Sequence, residues 1–396
     1  MRTVVAVTGL LACAALSARA QDTTTTDIAP SATWTDVAYP KVFYTTREGF
    51  IVGGHVAVLS PLSFSDFDRP EPYRASFSAS GDVTTRGSRR LVMDARMPYL
   101  VPGWRFALTL TAERRARENY FGVGNASVFD RANETTTQPD FYRSRNTRYL
   151  ARAEVQRRLA GPLRALAGVH VERWRLDTVA GVSQLALDRS AGLVSAVGNG
   201  TSDFSGRLGL VFDARDSEAA PRRGALLQVI VARAAADLAG DVTYTRGVAS
   251  ASGYIPVGER FVLAARMLGQ RMWGNPPLGT YYSIDASDRP FMGLGGGESH
   301  RGLPENRLLG PDKLLLNLDA RYDVFALPTL ARATLVGFFD AGRVFASEAF
   351  ALTTRDLKAG GGAGLVLQFG RAGVLGVTLG TGPDGVVTQA LSRWTY

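Results

Sequence analysis

Segments of alternating polarity, separated by turns and loops, recur along almost the entire chain. In the segment that begins at Trp104, Leu108 and Leu110 fall on one face of an extended strand, while Thr109 and Thr111 fall on the other. A period of two residues is typical of β-strands with one apolar and one polar face. Because the pattern continues without a convincing amphipathic helix, it argues against a doubly wound α/β fold and predicts an all-β protein.

Fifteen segments of this kind can be counted. A transmembrane barrel needs segments of only about ten residues, and bacterial single-chain barrels have an even number of strands. We therefore predict a sixteen-stranded antiparallel transmembrane β-barrel in which one strand is missed or merged with another. The competing interpretation is a large soluble β-sandwich or propeller, although no blade-length repeat supports a propeller. The predicted strands are residues 42–59, 73–81, 90–99, 104–116, 149–159, 163–176, 204–216, 224–234, 241–255, 260–271, 313–324, 331–344, 357–369, 373–380 and 387–396.

One of these segments breaks the alternation. In residues 163–176, Val169 and Val171 share the apolar face. Trp174 can join them only if the strand slips near Glu172, and such a slip predicts a β-bulge at that position.

Composition agrees with a membrane protein built from strands. After the N-terminal stretch there is no run of eighteen apolar residues, so no transmembrane helix is predicted. Mean hydropathy is −0.01, with 43 glycines and 13 tyrosines. The net charge is +9 and only three of the 45 basic residues are lysine. Because the arginines are spread over the whole chain, we expect them to face anionic lipid head groups or a polar lumen, not nucleic acid.

The first twenty residues have the pattern of a secretory signal peptide. Arg2 supplies the charged start, residues 4–16 the apolar centre and residues 18–20 a small-x-small cleavage site. Lipoprotein processing at Cys13 is the alternative interpretation. Cleavage after residue 20 would leave a mature chain without cysteine, and hence without disulfides. The predicted organisation is a signal peptide over residues 1–20, a short flexible lead over residues 21–38 and a transmembrane β-barrel domain over residues 39–396.

A glycine-rich segment between two predicted strands, residues 282–312, is too long for a passive turn. It carries Arg301 followed by Gly302. On the strands that follow, Asp319 and Asp340 point into the lumen if the aliphatic residues meet lipid. An unpaired buried cation is very costly, and a guanidinium can bind a carboxylate through two parallel hydrogen bonds. We therefore predict a loop folded into the barrel, with Arg301 held by Asp340 and Asp319.

Four short motifs and one strand carboxylate match the pattern of a single family. The motifs are His300-Arg301-Gly302-Leu303, Phe338-Phe339-Asp340, Tyr120-Phe121-Gly122-Val123-Gly124-Asn125, and Phe212-Asp213-Ala214-Arg215-Asp216 followed by Pro221 and Gly224; the carboxylate is Asp319. With them the chain resembles the bacterial surface antigen superfamily, the barrels of the BamA/TamA type. In that family the inward loop carries Arg-Gly-aromatic and a later strand carries Phe-x-Asp. The resemblance covers essentially all of residues 39–396.

The resemblance implies a protein of the bacterial cell outer membrane that assists insertion or translocation of protein, or of lipid, through a lateral seam between the first and last strands. The residues expected to form a structural loop brace are Arg301, Gly302, Asp319, Phe338 and Asp340. The alternative is a passive pore, or a structural outer-membrane barrel plugged by its inward loop.

The expected seam lies beside the last strands of the barrel. Gly380 and Gly382 are predicted to make the last hairpin easy to bend. Trp394 and Tyr396, on the same face of the last predicted strand, resemble the C-terminal signal that the barrel assembly machinery reads in this class of protein. Two features depart from the family pattern. Leu303 replaces the usual aromatic residue, and the chain leaves no room for the periplasmic POTRA domains, so a barrel-only member is expected.

No catalytic, cofactor-binding or metal-binding residues are predicted, and an enzyme is not expected. The three histidines, His55, His170 and His300, do not cluster in the sequence. Residues 297–301 lack the second glycine and the strand–helix context of a nucleophile elbow. The expected partners are outer-membrane lipids and lipopolysaccharide, an unfolded outer-membrane client or a periplasmic partner, and the barrel assembly machinery for its own insertion, but no nucleic acid.

Overall fold

The computed structural model describes residues 34–396, apart from residues 46, 63–69, 195–199, 288, 328–329, 347 and 372. The predicted signal peptide, residues 1–20, lies outside the described residues, and so does the predicted lead up to residue 33. The first strand begins at Thr35, ahead of the barrel boundary predicted at Tyr39.

Sixteen strands form one antiparallel sheet, in which each strand pairs with the one that follows it in the sheet. The predicted all-β barrel and its strand number are thereby confirmed. The strands of the sheet are β1 (Thr35–Thr45), β2 (Gly49–Ser60), β3 (Ala75–Thr84), β4 (Arg89–Val101), β5 (Trp104–Asn119), β6 (Arg143–Ala160), β7 (Leu163–Thr178), β8 (Thr201–Asp213), β9 (Gly224–Ala234), β10 (Tyr244–Val257), β11 (Phe261–Gly274), β14 (Asp312–Leu327), β15 (Ala331–Phe345), β16 (Lys358–Phe369), β17 (Gly373–Gly382) and β18 (Gly385–Leu391).

Few other elements accompany the sheet. The connection between β11 and β14 contains a small hairpin of β12 (Ser283–Ile284) and β13 (Phe291–Met292). Two short helices, α1 (Gln184–Ser190) and α2 (Ala236–Ala239), lie in the connections that follow β7 and β9. Among the described residues, no helix has the length and apolar character needed to cross a membrane.

The strand missing from the sequence-based count is the first one. Residues 42–59, predicted as one strand, belong to a hairpin of β1 and β2 that pairs Thr35 with Leu59 and Thr45 with Gly49. Gly49 has a φ of +71°, which glycine adopts readily, so the chain reverses inside the predicted segment. The sequence-based count had therefore merged β1 with β2.

Side chains alternate between an apolar outer face and a polar inner face. On β5, Leu108 and Leu110 are each 39% exposed, whereas Glu113 on the opposite face is 6% exposed. The bulge predicted near Glu172 is absent, because β7 pairs with β8 without a shift of register. Trp174 therefore faces the lumen together with Glu172, and both side chains are buried.

The last strand is shorter than predicted. β18 ends at Leu391 after seven residues, whereas the sequence predicted a strand over residues 387–396. Residues 392–396 leave the sheet. In the described sheet, β1 and β18 occupy the two ends of the strand order, and each has one hydrogen-bonded neighbour.

Candidate functional site: a loop tied to the inner wall

The connection between β11 and β14, residues 275–311, folds into the lumen. Within it, Ser299, His300 and Arg301 are at most 1% exposed. An apolar cluster joins this loop to the wall, where Leu294, Leu303 and Leu308 pack with residues such as Val248 of β10 and Leu315 of β14. Leu303, which replaces the aromatic residue of the family motif, thus lies in the best buried part of the loop.

Arg301 contacts two carboxylates on neighbouring strands. Its Nε and Nη2 donate to Oδ2 and Oδ1 of Asp340 at 2.9 and 2.7 Å, and Nη2 also donates to Oδ1 of Asp319 at 2.6 Å. The backbone N–H of Arg301 adds a bond to Asp340 at 2.7 Å. The guanidinium carbon lies 4.1 Å from the centre of the Phe338 ring. The cation is therefore paired along its edge and covered on its face.

The register of β14 and β15 explains why both carboxylates reach one cation. Asp340 lies opposite Asn317, and Asp319 lies opposite Phe338, so the two aspartates are diagonal neighbours on one face. Asn317 completes the arrangement, because its Nδ2 donates to Asp340 at 2.7 Å and to the backbone oxygen of Ser299 at 2.6 Å. The wall thus binds both the charged side chain and the backbone of the loop.

Arg301 remains charged in this environment. Burial by itself would lower the pKa of its guanidinium, but the carboxylates of Asp319 and Asp340 outweigh burial and raise the pKa of Arg301 above its usual range. Desolvating such a cluster is expensive, and removing one member leaves the other charges uncompensated. The three charges therefore depend on one another.

Gly302 brings the loop tip against the bare backbone of β17. A Cβ at Gly302 would lie 2.8 Å from the carbonyl oxygen of Thr381. Conversely, a Cβ at Gly380 would lie 2.6 Å from the carbonyl oxygen of Arg301, and a Cβ at Gly382 would lie 2.4 Å from that of Gly302. Such distances exclude any side chain at these positions without a shift of the backbone. Gly380 and Gly382 therefore leave room for the loop tip to contact the backbone of β17. Their predicted role in making the last hairpin easy to bend remains a prediction.

A second ion cluster, which the sequence analysis missed, holds the beginning of the loop. Arg207 on β8 donates from Nε and Nη2 to the two carboxylate oxygens of Asp285 at 3.0 and 2.9 Å. Arg152 on β6 donates to Asp285 Oδ1 at 3.1 Å, and Glu154 accepts from Arg207 at 2.9 Å. The polarity is the reverse of that at Arg301, because here the loop supplies the carboxylate and the wall supplies the cations. In the sequence, the only indication of this cluster is that Arg152 and Glu154 fall on the polar, inward face of their predicted strand.

A third cluster, also missed, lies at Glu305. Its carboxylate accepts from Nη1 of Arg115 on β5 at 2.7 Å and lies 2.8 Å from Nη1 of Arg47 in the turn after β1. Burial would raise the pKa of Glu305, but Arg47 and Arg115 outweigh it and lower this pKa to about 2. The loop thus touches the wall from the first hairpin to β17. Since one loop reaches both ends of the strand order, the sheet must wrap around it.

Residues 392–396 also turn into the lumen. Trp394 and Tyr396, predicted on the last strand, are 9% and 8% exposed and lie outside it. The ring of Trp394 is 4.1 Å from the guanidinium carbon of Arg321, and the Tyr396 hydroxyl donates to the backbone oxygen of Ala264 at 3.0 Å. These contacts with the inner wall explain why the strand ends early. The role of Trp394 and Tyr396 in barrel assembly remains a prediction.

One arginine connects these last residues to the loop. Arg266 on β11 donates to the backbone oxygens of Thr395 and Glu298 and to Oδ1 of Asn317, each at 2.9 Å. The loop, residues 392–396 and β14 therefore share a single buried cation.

The chemistry of this site is ion pairing and hydrogen bonding. Across the described ranges of the chain, no group of three or more His, Cys, Asp or Glu side chains is arranged to hold a metal ion. His300, adjacent to Arg301, places Nε2 2.9 Å from the backbone oxygen of Lys358. The arrangement fixes the position of a long loop relative to nearly every part of the wall.

Comparison with known proteins identifies a family. The family model described as the Omp85 superfamily domain matches residues 73–380. A search among curated proteins found no match. The structure is similar to that of BamA from Haemophilus ducreyi lacking POTRA domains 1–3, with 13% sequence identity and a TM-score of 0.53, over 91% of this chain and 70% of that chain.

A second solved structure with the same fold is CdiB from Escherichia coli. It shares 14% sequence identity with this chain at a TM-score of 0.56, and the match covers 92% of this chain. The chain spans 64% of the length of that CdiB chain. At these identities the similarity establishes the fold.

Proposed function

The chain belongs to the Omp85 superfamily, and from this premise we propose that it is a bacterial outer-membrane barrel that assists the insertion or translocation of polypeptides. The proposed route is a lateral seam between β1 and β18. The loop tied to the inner wall would keep the rest of the barrel in shape while the seam opens. Lipid is the second class of cargo that such a seam could admit.

The observation that supports this proposal is the pair of strand edges at the two ends of the sheet. β1 and β18 each have one neighbour in the described sheet, and β18 has only seven residues. Nine of the eleven residues of β1 are exposed. A strand edge with unpaired N–H and C=O groups can pair with an incoming extended segment, which is the physical basis of β-augmentation. An unfolded outer-membrane protein supplies segments of that kind.

The ion clusters define which part of the barrel stays fixed during such a movement. Arg301, Asp285 and Glu305 connect the loop to β5, β6, β8, β14 and β15. Glu305 also lies 2.8 Å from Arg47 in the turn after β1, so opening at the seam would have to break or carry along this contact. Movement at the seam can then occur without unfolding the opposite wall. We propose that a separate periplasmic partner delivers the client, and that the barrel assembly machinery inserts this chain itself.

The test is a disulfide across the seam. Cysteines replace Val42 on β1 and Val386 on β18, whose side chains are both exposed, and a second variant combines Val42→Cys with Thr388→Cys. The natural Cys13 lies in the predicted signal peptide. The assay measures how much of an unfolded outer-membrane client folds in liposomes that contain the protein. We expect the oxidised seam variant to lose this stimulation and to regain it after reduction.

The matched control joins two strands that are already paired. Ala95 on β4 and Leu108 on β5 lie directly opposite each other, so a disulfide between cysteines there should leave activity unchanged. Full activity of the oxidised seam variant would refute the lateral route. A protein that never stimulates client folding but gives steady conductance in a planar bilayer would instead support the passive pore or plugged structural barrel.

A further inference from the structure

Two arginines face each other on the outer wall of the barrel. Arg89 on β4 lies directly opposite Arg114 on β5. The neighbouring residues show that both point outward, because Glu113 is buried on the lumen side and Arg115 reaches Glu305 of the inward loop. Arg89 is exposed and Arg114 is half-buried.

This pair lacks a counter-charge from the protein. Among the residues that the structure describes, neither Arg89 nor Arg114 has an ion-pair partner. Like charges directly opposite each other in a sheet destabilise it. A third outward arginine, Arg173 on β7, lies opposite Tyr149 on β6 and is likewise unpaired within the described part of the chain. The outer wall of β4–β7 therefore presents a cluster of positive charge that an external anion would stabilise.

A groove begins at the arginine pair and continues over apolar residues. Its upper part, about 540 Å³, is lined by Arg89, Arg114, Asp82 and Glu113 together with Leu91, Ala112 and Tyr149. The lower part, about 290 Å³, shares the last three residues and is lined further by Met93, Leu110, Ala151, Val171 and Arg173. Small side chains at the centre of the strands create the depression between larger neighbours. Outward-facing Arg89 and Arg114 thus lie at one end of the groove, and the lower part is mostly apolar apart from Arg173.

The cationic end lies on the side of the barrel with the long connections. That side carries residues 120–142, 179–200 and 275–311, whereas the opposite side has short turns such as residues 102–103 and 161–162. Outer-membrane barrels have long loops outside and short turns on the periplasmic side. The arginines therefore lie where the external leaflet carries its head groups.

We propose that this groove binds one phosphorylated, acylated glycolipid of the external leaflet, the lipid A moiety of lipopolysaccharide. Arg89 and Arg114 bind a phosphate through paired N–H donors, and Arg173 contributes a further positive charge. Tyr149 lies at the boundary between head group and hydrocarbon, as interfacial aromatic residues do. An acyl chain follows Leu91 and the apolar floor below it. The inference rests on the outer-membrane location proposed above but not on the lateral seam.

The experiment titrates purified full-length mature protein in detergent with bisphosphorylated lipid A. In the double variant Arg89→Gln/Arg114→Gln, we expect binding to weaken about 25-fold, since each arginine near an anionic lipid surface contributes on the order of a fivefold gain in affinity. The matched control is Arg233→Gln/Arg271→Gln. Both of these arginines are exposed near the same end of the barrel but lie on β9 and β11, outside the groove. The control should bind lipid A as the unmodified protein does.

Two further measurements separate head group from chain. Dephosphorylated lipid A should bind the unmodified protein and the Arg89→Gln/Arg114→Gln variant equally. Ala112→Phe, which keeps both arginines and fills the groove, should weaken binding of lipid A but leave the weak binding of inorganic phosphate unchanged. Heat-modifiable mobility on gels confirms that each variant is folded.

Several results would overturn the assignment. Equal losses of lipid A affinity in the two double variants would show that binding depends on the overall surface charge and not on Arg89 and Arg114. Equal affinity for phosphatidylglycerol would show that the groove binds anionic lipids in general and is not specific for lipid A. Undiminished binding of lipid A after Ala112→Phe would show that the acyl chain does not lie in the groove. A seam-locked protein should still bind lipid A, so failure of the lateral seam and failure of this site are separable.

Discussion

The strongest test of the loop brace is the replacement of Arg301 by methionine, which keeps an unbranched apolar stem and removes the charged guanidinium. Asp319 retains the guanidinium of Arg321, whose Nε and Nη2 lie 3.1 and 2.9 Å from Oδ2. Asp340 retains only the amide of Asn317 and a backbone N–H. The cost is therefore concentrated at Asp340, which is 0% exposed.

The magnitude follows from that uncompensated carboxylate. Breaking a buried ion pair on one side typically costs about 3 to 5 kcal/mol. We expect Arg301→Met to lower the midpoint temperature of heat-modifiable mobility and to make the loop accessible to protease. The control is Arg175→Met, which removes an exposed pair with Asp177 at 2.9 Å. Exposed pairs of that kind contribute about 0 to 1 kcal/mol.

A double variant separates lost charge balance from lost packing. In Arg301→Met/Asp340→Leu, the stranded carboxylate is gone, so we expect higher stability than in Arg301→Met alone. The brace would be refuted if Arg301→Met were no less stable than Arg175→Met, or if the double variant were less stable than Arg301→Met.

Three further predictions concern the other loop contacts. Gly302→Val places a Cβ 2.8 Å from the carbonyl oxygen of Thr381, so we expect a loss of about 1 to 3 kcal/mol and a protease-sensitive loop; unchanged protection would contradict this contact. Asp285→Asn leaves Arg207 without its charged loop partner and should expose the first half of the loop to proteinase K, and resistance equal to the unmodified protein would argue against this second cluster. Because the pKa of Glu305 is lowered from 4.5 to about 2, its stabilising effect is complete above pH 4.5 and is lost as the pH falls toward 2. The difference in midpoint temperature between the unmodified protein and Glu305→Gln should shrink over that range, and a constant difference would refute the assignment.

The strands were predictable because their signal is local. Alternation over about ten residues depends only on which side of the sheet meets an apolar environment. The same signal concealed the first turn. Val42 and Tyr44 on β1, like Phe50 and Val52 on β2, are exposed, and the alternation runs through the turn without changing phase. A reversal that preserves phase cannot be detected from alternation alone.

The Arg301 cluster was found because its partners lie on the next two strands and their faces can be deduced. The clusters at Asp285 and Glu305 could not be found in this way. The partners of Asp285 are 78 and 133 residues away, and Arg115 is 190 residues from Glu305. Many arginines face the lumen, and nothing local selects among them. Barrel curvature, which brings distant strands to one loop, decides the pairing.

The early end of β18 has a consequence for the surrounding lipid. At about 3.4 Å per residue and a tilt of about 45°, its seven residues span roughly 17 Å along the membrane normal. The eighteen residues of β6 span roughly 43 Å by the same estimate, against a hydrocarbon thickness of about 30 Å. The barrel wall at β6 is therefore longer than the hydrocarbon layer is thick, whereas the wall at β18 is shorter than that layer. A strand this short favours local thinning of the bilayer next to the strand edge where the seam is proposed.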